Sequence, residues 1–201
     1  ERIGVKRGER VEWVDQTIEY THHGPIWARP TLAHNDGKAY AMATAYGSEF
    51  RLLEQAWQMI TARDLIEMKR ALDLLQYMAQ NIMIGTVDGD IYYLRNGRVP
   101  IRPEGFDFKK PVPGDISASE WKGIHPIADL VQIENPKQGY MQNCNVSPFA
   151  MMRSSPLVPE KYPPYIYNAG RTPPHQRAAM TLEQLDANDN MTAPQALEIA
   201  M

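Results

Sequence analysis

The chain has 201 residues, enough for one large domain or two small ones and for a sizeable core. With 43% hydrophobic and 22% charged residues it is composed like a globular protein, and four Trp, ten Tyr and four Phe argue against disorder. A net charge of −3 gives nucleic-acid binding no support, no apolar run is long enough for a membrane span, and the single cysteine, Cys144, excludes an internal disulfide.

Residues 1–47 read mainly as antiparallel strands. Ile3 and Val5, then Val11 and Trp13, alternate around a turn at Arg7-Gly8. Ile18 and Tyr20 run on toward His22-His23, and Asn35-Asp36-Gly37 reads as a turn before a strand over 39–46. Residues 48–79 read as a helical hairpin. Phe50, Leu53, Trp57 and Ile60 share one face behind a possible N-cap, Ser48. A cap at Thr61, with Asp64 three residues on, precedes the stripe Leu65, Met68, Leu72 and Leu75. Residues 81–102 return to strand, with Asp88-Gly89 signalling a two-residue type I′ hairpin and Asn96-Gly97 a second turn.

From Pro100 to Pro174 lie 13 of the 16 prolines. Such a stretch cannot be mostly helix, and its spread of aromatic residues keeps it ordered. Residues 103–176 are therefore expected to be long loops that wrap a core and carry function. Residues 177–201 are helical again. Thr192 and Gln195 form a capping box, Pro194 falls in the first turn, and Leu197 and Met201 share a face. Glu1 is no initiator and the last helix has no stop signal, so the chain is expected to be an internal piece of a longer protein. Strands, helices and strands in succession make the fold class α+β.

Nucleotide loops, nucleophile elbows and zinc motifs are absent. His22-His23 is not read as a metal-ligand pair, because neighbours on a strand point to opposite faces. Asp88-Gly89-Asp90 is read as a turn rather than a calcium loop, so no metal site is expected in this chain. Cys144 would be a nucleophile beside a base such as His23; a small buried cysteine is the plainer reading. Asn143-Cys144-Asn145 sits on a loop before Pro148, and alternation would put both amides on one side. An amide offers uncharged N–H donors suited to an oxyanion. The local sequence favours the alternative, in which both amides cap loop backbone.

The order of motifs resembles the penicillin acylase family of N-terminal nucleophile hydrolases. The resemblance runs through THHGPI (21–26), TVDGDIYYLRNGRVPIR (86–102), PVPG (111–114), EWKGIHPI (120–127) and NPKQGYMQNCNVSP (135–148). It implies an αββα four-layer sandwich, of which this chain would be part of the nucleophile-bearing β subunit. It also implies hydrolysis of an N-acyl amide through an acyl-enzyme on an N-terminal Ser upstream, whose own α-amine serves as base. The substrate would be a small molecule: a β-lactam, an acyl homoserine lactone or an acylated peptide. Partners would be the α subunit and the remainder of the β subunit, with no nucleic acid or membrane. Periplasmic or secreted localisation is implied, with no cofactor in this chain and a structural calcium conceivable in the intact enzyme.

Residue by residue, the resemblance assigns Asn145 as the oxyanion-hole side chain. It assigns Arg177 as the active-site Arg, with Arg171 as competitor. Trp57 would line the acyl pocket, against a reading as a plain core aromatic, and His23 would be structural. The alternative function is a non-catalytic binding protein that keeps the scaffold. The 201 residues alone are expected to hydrolyse no amide and to associate through an open sheet edge.

Overall fold

The structure, a computed structural model, describes residues 1–27, 38–47, 49–78 and 80–200. The turn at Asn35-Asp36-Gly37, the cap at Ser48 and the contact of Met201 lie outside these residues. Helices and antiparallel sheets give an α+β fold, divided into two compact units. Unit 1 comprises residues 1–50 and 100–124; unit 2 comprises 51–99 and 125–201.

Unit 1 opens with a hairpin of β1 (Arg2–Arg7) and β2 (Arg10–Asp15). Arg7 pairs with Arg10, so the turn is the two residues Gly8-Glu9. This register puts Ile3 opposite Val14, and Gly4 opposite Trp13. Ile3 and Val5 therefore face away from Val11 and Trp13, and each face of the ribbon carries exposed apolar groups. A second, minimal pair joins β3 (Tyr20–Thr21) to β4 (Gly24–Pro25). Beyond it the strand expected over 39–46 shrinks to a single bridge, Ala41 to Ile26. Gly24 has φ +139, and a Cβ there would lie 2.2 Å from the Met42 carbonyl oxygen. Only glycine fits that close approach.

Unit 2 holds every fully buried aliphatic and aromatic side chain among the described residues. Its helical hairpin is α1 (Leu52–Thr61) and α2 (Leu65–Leu72). Its sheet is β5 (Gln80–Gly85), β6 (Ile91–Asn96) and β7 (Gln132–Glu134), antiparallel in the order β5-β6-β7. A short helix, α3 (Pro164–Tyr167), precedes α4 (Gln176–Asp186) and α5 (Ala193–Ala200). Strand β7 and helix α3 interrupt the stretch expected to be all loop. The apolar segment Leu130 to Ile133, between Pro126 and Pro136, carries the strand.

The hairpin β5–β6 is not closed by a type I′ turn. Gly85 pairs with Ile91, the Gly89 N–H donates to the Thr86 carbonyl at 3.2 Å, and the Thr86 N–H donates to the Asp90 carbonyl at 2.9 Å. Asp88 keeps a negative φ and only Gly89 is positive, at φ 93. A type I′ turn needs two positive φ values. The loop is instead the three residues Val87-Asp88-Gly89, a common longer hairpin connection. Central strand β6 buries three consecutive residues, Tyr92, Tyr93 and Leu94. It is covered on both faces, so strict alternation does not hold. Each buried phenol finds an acceptor: Tyr92 on Gln132 at 2.8 Å and Tyr93 on Asn81 at 2.7 Å. Burial, with the Glu134 carboxylate adding to it, pushes the Tyr92 phenol up to about 12.

The cap of α2 is Asp64, not Thr61. The Asp64 carboxylate accepts from the Glu67 N–H at 2.7 Å, and Glu67 accepts from the Arg63 N–H at 2.9 Å. Thr61 instead turns its hydroxyl back onto the Trp57 carbonyl, at 2.9 Å. The Arg63 side chain and backbone together hold the Glu67 carboxyl down at about 2.

Helix α1 is built the other way round from its expected pattern. Its apolar stripe is open: Leu53, Trp57 and Ile60 are 79%, 67% and 80% exposed. Its one buried side chain is polar, Gln55. Gln55 Oε1 accepts from the Gln76 N–H at 2.6 Å, and Gln76 Oε1 accepts from the Arg51 N–H at 2.8 Å. Two amide side chains thus clasp the start of α1 to the end of α2. Gln55→Ala strands the buried Gln76 N–H and should cost about 1–3 kcal/mol. Leu53→Gln, at an open position, should stay within about 0.5 kcal/mol. Urea unfolding of the two variants checks this. A larger loss from Leu53→Gln than from Gln55→Ala would contradict the inverted helix.

Candidate active site

The segment 140–153 is held to α4 at both ends of that helix. At the C-terminal end, Asp186 accepts from the Tyr140 hydroxyl and from Arg153 Nε, the latter at 2.7 Å. Hydrogen bonds from Tyr140 first and Arg153 second keep the Asp186 carboxyl below its ordinary range. Burial first, then the bond to Asp186, pushes the Tyr140 phenol up to about 12. A carboxylate at a helix C-terminus opposes the macrodipole, so these two donors offset that cost. Ala178 and Leu182 bury the inner face of the helix.

At the N-terminal end the same helix delivers Arg177 to the loop. Arg177 Nη2 donates to the Cys144 carbonyl at 2.7 Å and to Asn145 Oδ1 at 2.9 Å. His175 caps the helix: its Nδ1 accepts from the Ala178 N–H at 3.4 Å, while its Nε2 lies 2.9 Å from the Cys144 carbonyl. With Nδ1 as acceptor, Nε2 carries the proton and donates. The Cys144 carbonyl therefore receives two donors from the start of α4.

The loop itself is bent rather than extended. Asn143 Oδ1 accepts from the Asn145 N–H at 3.0 Å, and Asn145 adopts φ 64. Asn tolerates the left-handed region better than most residues. Strand alternation does not apply here, so it gives no ground for placing the two amides together. They have different jobs. Asn143 caps loop backbone; Asn145 turns its oxygen to a guanidinium. A guanidinium has no acceptor, so it fixes which end of the Asn145 amide it meets. Oδ1 is held, and Nδ2 is left to donate away from Arg177. Asn145 is exposed, so that donor is accessible. Behind the loop, buried Gln142 accepts from the Cys144 N–H at 2.9 Å and donates to the Ala150 carbonyl at 3.0 Å.

Arg171 is engaged elsewhere. It pairs with Glu160 through two bonds of 2.8 and 2.7 Å, and its guanidinium lies over the Phe149 ring. The Cys144 thiol contacts the Thr181 hydroxyl at 3.7 Å, a neighbour that is no base. Trp57 stands on the open face of α1, tied to neither Asn145 nor Arg177 by a hydrogen bond. His175 is the member of this site that the sequence does not announce. Its one signal is its place after Pro173-Pro174 at a helix start, where a His is an uncommon cap.

The penicillin amidase family model matches residues 1–201. The chain belongs to the penicillin amidase family. A penicillin G acylase of Escherichia coli is 31% identical over 156 residues, covering 74% of this chain and 17% of that relative. The solved structure of a thermostable penicillin G acylase from Alcaligenes faecalis superposes with a TM-score of 0.71 at 24% identity. The match covers 99% of this chain and 33% of that one. The chain thus spans about a sixth of the first relative's length and a third of the second's.

The geometry makes His175 a joint between helix and loop. His175→Ala removes the cap of α4 and should cost about 1 kcal/mol. Amide exchange at Ala178 should accelerate in this variant, with little change in β6. Unaltered protection at Ala178 would remove His175 from the site.

Proposed function

We propose that the parent protein hydrolyses the amide bond of a small N-acyl substrate, and that Asn145 stabilises the oxyanion. The observation that carries this reading is the bond from Arg177 to Asn145 Oδ1, which leaves Nδ2 as an oriented, uncharged donor. Preorganised donors of this kind stabilise charge as it develops in the transition state. The family membership supplies the reaction class.

In this reading the nucleophile is an N-terminal hydroxyl residue of the parent, outside these 201 residues. Its hydroxyl attacks the acyl carbonyl and its α-amine accepts the proton. The carbonyl oxygen gains charge and takes a hydrogen bond from Asn145 Nδ2. Collapse expels the amine, which takes the proton back and leaves an acyl-enzyme. Water then attacks that ester through the same oxyanion, releasing the acid. Arg177 is a positioning residue: it orients Asn145 and ties down the Cys144 carbonyl. Trp57 lines the acyl pocket, and its open apolar face is what supports that assignment. The α subunit and the rest of the β subunit complete the site, in the periplasm or outside the cell.

In the intact protein, Asn145→Ala should lower kcat by about 10²- to 10³-fold with little change in KM. Asn143→Ala should reduce stability more than turnover, because it removes the loop cap. Normal turnover in the first variant and none in the second would sink the assignment.

Trp57→Ala should change the ratio of kcat/KM between short and long acyl chains. A hydrophobic pocket discriminates by about 1–3 kcal/mol per methylene-sized difference. Equal losses on phenylacetyl and long-chain substrates would remove Trp57 from the pocket.

A further inference from the structure

His22 and His23 do not lie on a strand. Strand β3 ends at Thr21 and β4 begins at Gly24, so both histidines occupy the turn between them. The alternation that would separate them is absent, and their ring centroids lie 3.8 Å apart. The expectation that adjacent histidines cannot share a ligand therefore fails. Both rings turn Nε2 toward one carboxylate. His22 Nε2 is 2.7 Å, and His23 Nε2 3.6 Å, from Glu120 Oε1.

We propose that His22, His23 and Glu120 form a zinc site that staples the β3–β4 turn to the segment 114–120. One ligand atom from each residue lies within 4.8 Å of the others. Tetrahedral zinc with bonds of about 2.0–2.2 Å needs ligand atoms about 3.3 Å apart. Side-chain movements of about an ångström close that difference. Two imidazoles and one carboxylate are a donor set zinc takes, with solvent in the fourth position.

The surroundings fit the site. The Gly114 carbonyl lies 2.9 Å from His23 Nε2 and holds that ring beside Glu120 until the metal takes the nitrogen in its place. A Cβ at position 114 would come within 3.3 Å of that nitrogen, so the loop approaches as closely as it does because residue 114 is glycine. Ser119 Oγ donates to this segment's own carbonyls, at 2.5 Å to Pro113 or 2.9 Å to Ile116. The carboxylate carrier is thereby fixed before any metal arrives. A pocket bordered by Tyr40, Met42, Phe108 and Trp121 opens onto the three ligands. His23 is four-fifths covered while His22 is open, which gives both a held ligand and an entry path.

A hydrogen-bonded cluster alone is a weaker account. Exposed His–Glu pairs contribute little to stability. Coordination uses Nε2 of each ring, so the protons that His22 directs at Glu120 and His23 at the Gly114 carbonyl move to Nδ1 through solvent.

The test is calorimetric titration of the chelator-treated chain with zinc chloride. One equivalent should bind, with a rise in the melting temperature. X-ray absorption at the zinc edge should show two imidazoles and oxygen ligands. His22→Ala and Glu120→Gln should each weaken binding at least about 100-fold, the scale on which even outer-shell changes act. Both variants should keep the metal-free circular dichroism spectrum, since His22 is exposed and Gln is isosteric with Glu. His125→Ala, in unit 2, should leave the zinc isotherm unchanged. Millimolar calcium should not displace zinc, because calcium takes oxygen ligands. Full-strength binding in both ligand variants, loss in His125→Ala, displacement by calcium, or no uptake by the native chain would each overturn the site.

Discussion

The Arg177 guanidinium is the contact on which the candidate site depends. It donates at once to the Cys144 carbonyl and to Asn145 Oδ1. One bond ties helix to backbone; the other decides the orientation of an amide. Neither bond is worth much as stability, because both groups are exposed. Their value lies in geometry. An amide free to rotate would offer oxygen as readily as nitrogen to a developing oxyanion, and oxygen would repel it. In the proposed mechanism, a cation on the oxygen removes that ambiguity before substrate arrives.

The rest of unit 2 keeps this contact in register. Arg177 sits in the first turn of α4, and α4 is fixed at its other end by Tyr140 and Arg153 on Asp186. The same loop that carries Asn145 therefore grips the helix that carries Arg177 at two points, about 15 Å apart along its axis. Inside lies β6, whose Tyr92, Tyr93 and Leu94 are buried on both faces.

Much of this is legible in the sequence, and the exceptions have physical causes. Half of the Thr192–Gln195 box is read directly, because capping chemistry is local: the Thr192 N–H donates to Gln195 Oε1 at 2.8 Å, while the Thr192 hydroxyl donates to that same oxygen. The α+β class and the hairpin of β5 and β6 follow from periodicity. The inversion of α1 does not. Periodicity finds the stripe Leu53, Trp57, Ile60 but cannot tell which face meets the chain's own core, and here that face holds Gln55. Pattern misplaces the pair His22-His23 because strand length, not residue type, decides whether alternation applies. β3 is two residues long. Choosing between Arg171 and Arg177 needs the partner of each. Glu160, 11 residues before Arg171, stands in no periodic relation to it, and only the fold brings the two together.

The central claim is that Asn145 Nδ2 donates to the oxyanion while Arg177 holds Oδ1. A crystal structure of the intact protein with a phosphonate analogue of the tetrahedral intermediate tests it most directly. The account predicts Nδ2 within about 2.7–3.1 Å of a phosphonyl oxygen, with the Arg177 bond to Oδ1 retained. A phosphonyl oxygen bound only by other donors, with the Asn145 amide turned away, would contradict it.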